Sequence, residues 1–121
     1  MNIAIVLAGG TGTRLGGDIP KQYIEVAGKP IISYCLDKFE KHILIDNIVI
    51  VASEMWQDYI LSWIVKDNLN KFSGFAPAGN SRQHSIVNGM FKAKSIGATA
   101  SDNIIIHDAA RPNISETIIS K

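Results

Sequence analysis

LAGGTGTRL, Leu7 to Leu15, follows directly on the apolar run Ile3 to Leu7, and the reading of this junction decides the fold. Three further short runs carry β-branched or aromatic residues: Asn47 to Ala52, Lys71 to Ala76 (the weakest) and Asn103 to His107. Three of the four are almost continuously apolar, as in strands buried on both faces of a parallel sheet; a half-exposed strand would alternate. Helical spacing fills the gaps between them. From Pro30 to Lys41 the stripe is Ile31, Tyr34, Cys35, Leu36 and Phe39. From Glu54 to about Lys66, after a Ser53 cap, it is Met55, Tyr59, Ile60, Trp63 and Ile64. From about Ser81 to Ser95 it is Ile86, Val87, Met90 and Phe91. Strand and helix alternate, which predicts an α/β, doubly wound, Rossmann-like sheet. With the strands in the order 3-2-1-4, the loops after strands 1 and 4 diverge and open a crevice at the carboxyl ends.

The junction is glycine-rich for a reason. Glycines 9, 10, 12, 16 and 17 are five of the chain's ten, within nine positions. A backbone so free of Cβ atoms wraps a pyrophosphate and aims successive N–H groups at it. The two common phosphate loops do not fit. The dinucleotide pattern needs Gly or Ala where Leu15 stands, and the P-loop needs Lys where Asp18 stands. A third kind of loop is required, with its own cations, and Arg14 and Lys21, in Pro20-Lys21-Gln22, are placed to supply them.

Two more segments follow strands. AGNSRQHS, Ala78 to Ser85, sets small and polar residues at a helix start, where backbone N–H groups are free. HDAARP, His107 to Pro112, puts Asp108 at the end of a buried strand near Arg111. A hard carboxylate suits Mg²⁺ and a guanidinium forks onto phosphate oxygens; a salt bridge between the two is the plainer reading. His107 is read as structural. The three arginines, Arg14, Arg82 and Arg111, all fall at this one end of the predicted sheet, while most of the nine lysines lie elsewhere. Arginine's planar fork favours a polyanionic ligand.

Composition limits the alternatives. The 121 residues are 46% hydrophobic and 19% charged, with a mean hydropathy of +0.12, the balance of one folded domain. A net charge of +1 argues against general nucleic-acid or membrane-surface binding. Cys35 is the only cysteine, so an internal disulfide is excluded and a reducing, cytoplasmic setting is expected. The Ile3 to Ala8 run is short for a signal peptide, and no stretch approaches the ~20 apolar residues of a membrane span. Ser115 reads as an N-cap ahead of Glu116, Ile118 and Ile119, so a helix is expected to begin close to the last residue. Residues 1–121 are therefore expected to form the nucleotide-binding N-terminal portion of one domain, truncated at its C-terminus.

LAGGTGTRL with Pro20-Lys21-Gln22 resembles the nucleotidyltransferases that make sugar nucleotides. GNSRQHS and HDAARP narrow the resemblance to the 2-C-methyl-D-erythritol 4-phosphate cytidylyltransferase family, of which ribitol 5-phosphate cytidylyltransferases are near relatives. The resemblance spans the chain and implies transfer of a cytidylyl group from CTP to a polyol phosphate, releasing pyrophosphate, in isoprenoid precursor synthesis (the MEP pathway). It implies that Ala8, Gly9, Gly10, Thr11 and Gly12 wrap the CTP phosphates and that Arg14 and Lys21 are catalytic. It also implies that Gly79, Asn80 and Ser85 lie at the cytosine, that Asp108 contacts Mg²⁺ and that Arg111 contacts the polyol phosphate. At Asn80 the family usually has Asp. Its further acceptor residues and a dimerising arm belong to a C-terminal half, so a homodimer is implied at full length. Two alternatives stay open: ribitol 5-phosphate as acceptor, and a nucleotide-binding fragment without turnover.

Chemistry is consistent with this assignment. A phosphate monoester has a second pKa near 6 and attacks an α-phosphorus without a general base. Such a site needs charge neutralisation and has no use for a nucleophile–histidine pair.

Overall fold

The computed structural model describes residues 1–8, 19–99 and 101–109. Four parallel strands form the sheet: β1 (Asn2–Leu7), β4 (Asn47–Ala52), β5 (Phe72–Pro77) and β6 (Asn103–Asp108). Their order, β5-β4-β1-β6, is the predicted 3-2-1-4. A two-residue hairpin, β2 (Glu25–Val26) and β3 (Lys29–Pro30), precedes the helices α1 (Ile31–Lys41), α2 (Glu54–Lys66) and α3 (Arg82–Ser95). The expected helix after Ser115 lies outside the described residues. Among those described, no helix is long and apolar enough to cross a membrane.

The topology explains why β1 and β4 read as continuous apolar runs. Chain progress from β1 to β4 to β5 runs one way across the sheet, and β6 then returns to the other side of β1. Right-handed crossovers therefore place α1 and α2 on one face and α3 on the other. Ala4, Val6, Ile48 and Ile50 pack with Leu36 and Phe39 of α1 and Ile60 and Ile64 of α2. Ile3, Ile5, Val49 and Val51, alternating with them, pack with Ala93 of α3. Both faces of the central strands are dry.

Helix α3 departs from the expected facing. Val87, Met90 and Phe91 are substantially exposed, and the residues turned to the sheet are Ser85, Gly89 and Ala93 at spacings of four. Small residues let the helix lie close: a Cβ on Gly89 would stand 2.7 Å from Ile5 Cγ2 and 3.0 Å from Val51 Cγ2. The displaced apolar side chains line a groove with Ala98 and Ile104, beside the outer edge of β6. Met55 on α2 also faces outward, at 82% exposure, while Ile60 and Ile64 carry that helix's contact. Ile32, missing from the predicted stripe of α1, is buried. Ser53 stands at the N-cap of α2 but makes no side-chain cap bond.

The chain's start is clasped to the loop before β6. The Met1 ammonium donates to Asp102 Oδ1 at 2.6 Å, and Thr99 N–H donates to Asp102 Oδ2 at 2.8 Å. These bonds hold the Asp102 carboxyl below its ordinary value and raise the Met1 ammonium above its own. A lowered carboxyl pKa stabilises the fold above the ordinary value and ceases to do so as pH falls through the lowered one; a raised ammonium pKa acts below its ordinary value and is lost as pH rises through the raised one.

Two outcomes follow from this packing. Gly89→Ala destabilises by about 1 kcal/mol or more in urea melts, because overpacking outweighs the gain in helix propensity. A stabilised variant would mean that α3 lifts freely from the sheet. Asp102→Asn lowers the thermal midpoint near neutrality, and its deficit closes well below pH 3.8, the ordinary carboxyl value. A deficit that persists unchanged at acid pH would remove the clasp from the account.

Candidate functional site

Leu7, Ala52, Pro77 and Asp108 end their strands on the same side of the sheet, and the three predicted motifs start there. Register brings two of them together directly. Leu7 pairs with Asp108 across β1 and β6, and Ala109 N–H donates to Leu7 O at 2.9 Å. The start of the glycine segment and the Asp108 segment thus leave adjacent strands side by side.

Ala8 is buried and tied to the sheet by donation of its N–H to Val51 O at 2.7 Å. Its carbonyl accepts from two side chains, Gln22 Nε2 at 2.8 Å and Tyr23 Oη at 2.9 Å. Gln22 and Tyr23 belong to a 3-10 turn, Lys21–Tyr23, closed by Tyr23 N–H to Pro20 O at 3.0 Å. Lys21 opens that turn and is exposed. The Tyr23 ring stacks on Trp56 of α2 at 4.1 Å, with Tyr59 edge-on at 5.9 Å. Burial pushes the Tyr23 phenol well above its ordinary pKa, so it stays a donor.

The segment after β5 is held from within. Gly79 N–H donates to Ser85 Oγ at 2.9 Å, and Ser81 Oγ caps α3 by accepting from His84 N–H at 3.0 Å. Asn80 N–H points to His84 Nδ1 at 3.4 Å, which leaves the exposed Asn80 side chain outside this internal network. Gly79 is required by close approach: a Cβ there would stand 2.6 Å from His84 Cβ and Cγ. Arg82, the first residue of α3, reaches Asp108 with Nε 3.5 Å from Oδ1. That pair joins the second motif to the third across the top of the sheet.

Among the described residues, no three acidic, histidine or cysteine side chains cluster as a metal cage. Asp108 is a single, partly exposed carboxylate at the strand end, the donor set that suits a Mg²⁺ whose other ligands are phosphates and water. His107 is buried with Phe39 edge-on at 5.5 Å and belongs to the core. Burial, with a smaller contribution from the nearby Asp108 charge, pushes the Cys35 thiol up to about 12, so it is unreactive.

Of the predicted site residues, Ala8, Lys21, Gly79, Asn80, Ser85 and Asp108 stand at this end of the sheet. Gly9, Gly10, Thr11, Gly12, Arg14 and Arg111 lie outside the described residues. The sequence reading assigned no role to Gln22, Tyr23 or His84, and none to Arg82 beyond its place among the arginines. Gln22 was marked by its place in Pro20-Lys21-Gln22, and Tyr23 only by standing next to it.

This arrangement is that of a doubly wound, Rossmann-like fold with its three motifs at the carboxyl ends of the strands. A sequence profile for IspD, 2-C-methyl-D-erythritol 4-phosphate cytidylyltransferase, matches residues 2–121, and the chain belongs to this family. It is 42% identical over 120 residues to the 2-C-methyl-D-erythritol 4-phosphate cytidylyltransferase of Clostridium tetani, covering 99% of this chain and 47% of that one. It is 39% identical over 122 residues to the ribitol-5-phosphate cytidylyltransferase of Vibrio parahaemolyticus, covering 100% of this chain and 51% of that one. The crystal structure of the 2-C-methyl-D-erythritol 4-phosphate cytidylyltransferase of Francisella tularensis superposes with a TM-score of 0.71 at 29% identity, covering 96% of this chain and 47% of that one. The chain spans about half the length of the curated relatives it matches.

Ser85→Ala is expected to leave the Gly79 N–H without its partner and to cost about 1 kcal/mol of stability in chemical denaturation. An unchanged midpoint would show that water replaces the hydroxyl.

Proposed function

We propose that the chain forms the nucleotide-binding part of a cytidylyltransferase that transfers CMP from CTP to 2-C-methyl-D-erythritol 4-phosphate, with release of pyrophosphate. One observation carries the reading: Leu7 pairs with Asp108 while the Lys21 turn is bonded to Ala8, so a carboxylate and a lysine-bearing turn are both fastened to the end of β1. Family membership supplies the activity class. A second reading, ribitol 5-phosphate as acceptor, is favoured by the 39% identity to the Vibrio parahaemolyticus relative.

In this reading the backbone from Ala8 to Gly12 binds the triphosphate. Lys21 and Arg14 neutralise charge as the α-phosphorus becomes five-coordinate, and the acceptor phosphate attacks already ionised. Gly79, Asn80 and Ser85 form the base side, and Arg111 receives the acceptor phosphate. Asp108, which pairs with Arg82 here, would hold Mg²⁺, which supplies further neutralisation of phosphate charge when bound. The net charge of +1 and the single cysteine support a cytoplasmic protein without nucleic-acid partners. At the length of its relatives we propose that it acts as a homodimer.

The test is a calorimetric titration with CTP, ATP and GTP, with and without Mg²⁺, beside turnover assays with both polyol phosphates. Mg²⁺-dependent binding that prefers CTP is expected. Lys21→Ala keeps CTP binding and loses on the order of a hundredfold or more in turnover. Binding of CTP without turnover by either protein would leave a nucleotide-binding module, and no preference for CTP would overturn the reading.

A further inference from the structure

We propose that Gln22 and Tyr23 are positioning residues for Lys21, acting through the carbonyl of Ala8. The proposal rests on the role given above to Lys21 and adds how that role is built. Gln22 is a buried primary amide, 8% exposed, and burying such a group is unfavourable unless it is bonded. Its bond goes to the carbonyl at the point where β1 gives way to the glycine segment. The Tyr23 hydroxyl converges on that same oxygen, so both lone pairs of Ala8 O are taken by consecutive side chains of one turn.

That convergence fixes a spatial relation. Ala8 is held to β4 through Val51 O, so its carbonyl moves only with the sheet. Tyr23 is held to α2 by the Trp56 stack, and the Tyr59 hydroxyl lies 3.4 Å from its backbone carbonyl. Lys21 precedes these anchors in the same turn, and among the described residues no carboxylate lies in ion-pair range of its ammonium. Its placement comes from the backbone on which it stands. A flexible lysine needs this if it is to meet a developing charge, because misplacement by about 1 Å can cost on the order of a hundredfold in rate. Folding alone does not call for an amide at position 22; an apolar side chain of like size would fill the space without asking for an acceptor.

A double-mutant cycle on turnover tests this, together with NMR of reductively ¹³C-methylated lysines in which Lys21→Arg assigns the Lys21 signal. In the wild type that signal shifts when Mg²⁺ and CTP are added. Gln22→Leu is expected to lower turnover by about tenfold while keeping CTP binding, and to diminish the Lys21 response. Added to Lys21→Ala, the same change is expected to lower turnover by less than about a further twofold, because residues that act as a unit are not additive. Tyr23→Phe keeps the Trp56 stack, shows a smaller effect in the same direction, and guards against a misfolded Gln22→Leu protein. A full wild-type Lys21 response in Gln22→Leu and Tyr23→Phe, or losses that multiply in the double variant, would overturn the proposal. So would CTP binding that leaves the wild-type Lys21 signal unmoved. Failure of the wild type to bind CTP at all would instead strike the functional reading, and the proposal with it.

Discussion

Strand β1 is the constraint on which the rest of the structure depends. It is covered on both faces by helices and paired along both edges, by β4 on one side and β6 on the other. Ile3, Ala4, Ile5 and Val6 are fully buried, so every backbone group in this run must find its partner in the sheet. Because β4 and β6 pair with β1 in parallel, their carboxyl ends are fixed beside its own. The meeting of Leu7 with Asp108 is a consequence of that register, and no separate interaction is needed to bring them together.

The site inherits its stiffness from the same strand by a short route. Ala8 is fixed by the ladder, Gln22 and Tyr23 are fixed by Ala8, and the aromatic group of Tyr23, Trp56 and Tyr59 carries the connection to α2. On the other side, α3 lies close over β1 and β4 because it offers Gly89 and Ala93, and that closeness brings Arg82 over the sheet to Asp108. Elements distant in sequence thus converge on one edge of a rigid sheet, as ligand sites of open α/β folds do.

The sheet was legible because burial on two faces writes itself as uninterrupted apolar runs, and the order of strands is the one supposed for a doubly wound sheet with a crevice beside its first strand. Helix α3 was misread in detail for a physical reason. Hydrophobic spacing points to the most apolar face, whereas close helix–sheet contact selects the smallest one, so Ser85, Gly89 and Ala93 displaced Val87, Met90 and Phe91. At the candidate site, Lys21 and Asp108 stood out because a charge beside a glycine run or at the end of a buried strand has few other uses, whereas the roles of Gly79 and Ser85 came only with the family resemblance. The roles of Gln22 and Tyr23 were not legible, since they arise from one shared acceptor on a strand fourteen and fifteen residues earlier. Periodicity carries no signal of such a bond.

The clasp between the chain's start and the loop before β6 bears on how the protein is made. Asn2 and Asn103 are joined side chain to side chain although 101 residues separate them. At about 5 to 20 residues per second, the ribosome delivers the strand that closes the second edge of β1 roughly 5 to 20 s after β1 itself. Through that interval Ile3 to Leu7 is a β-branched, uncharged segment with at least one open edge, the kind of segment that pairs with other chains. The double pairing that protects β1 in the finished fold is therefore complete only once β6, the last of the four strands in chain order, has been made.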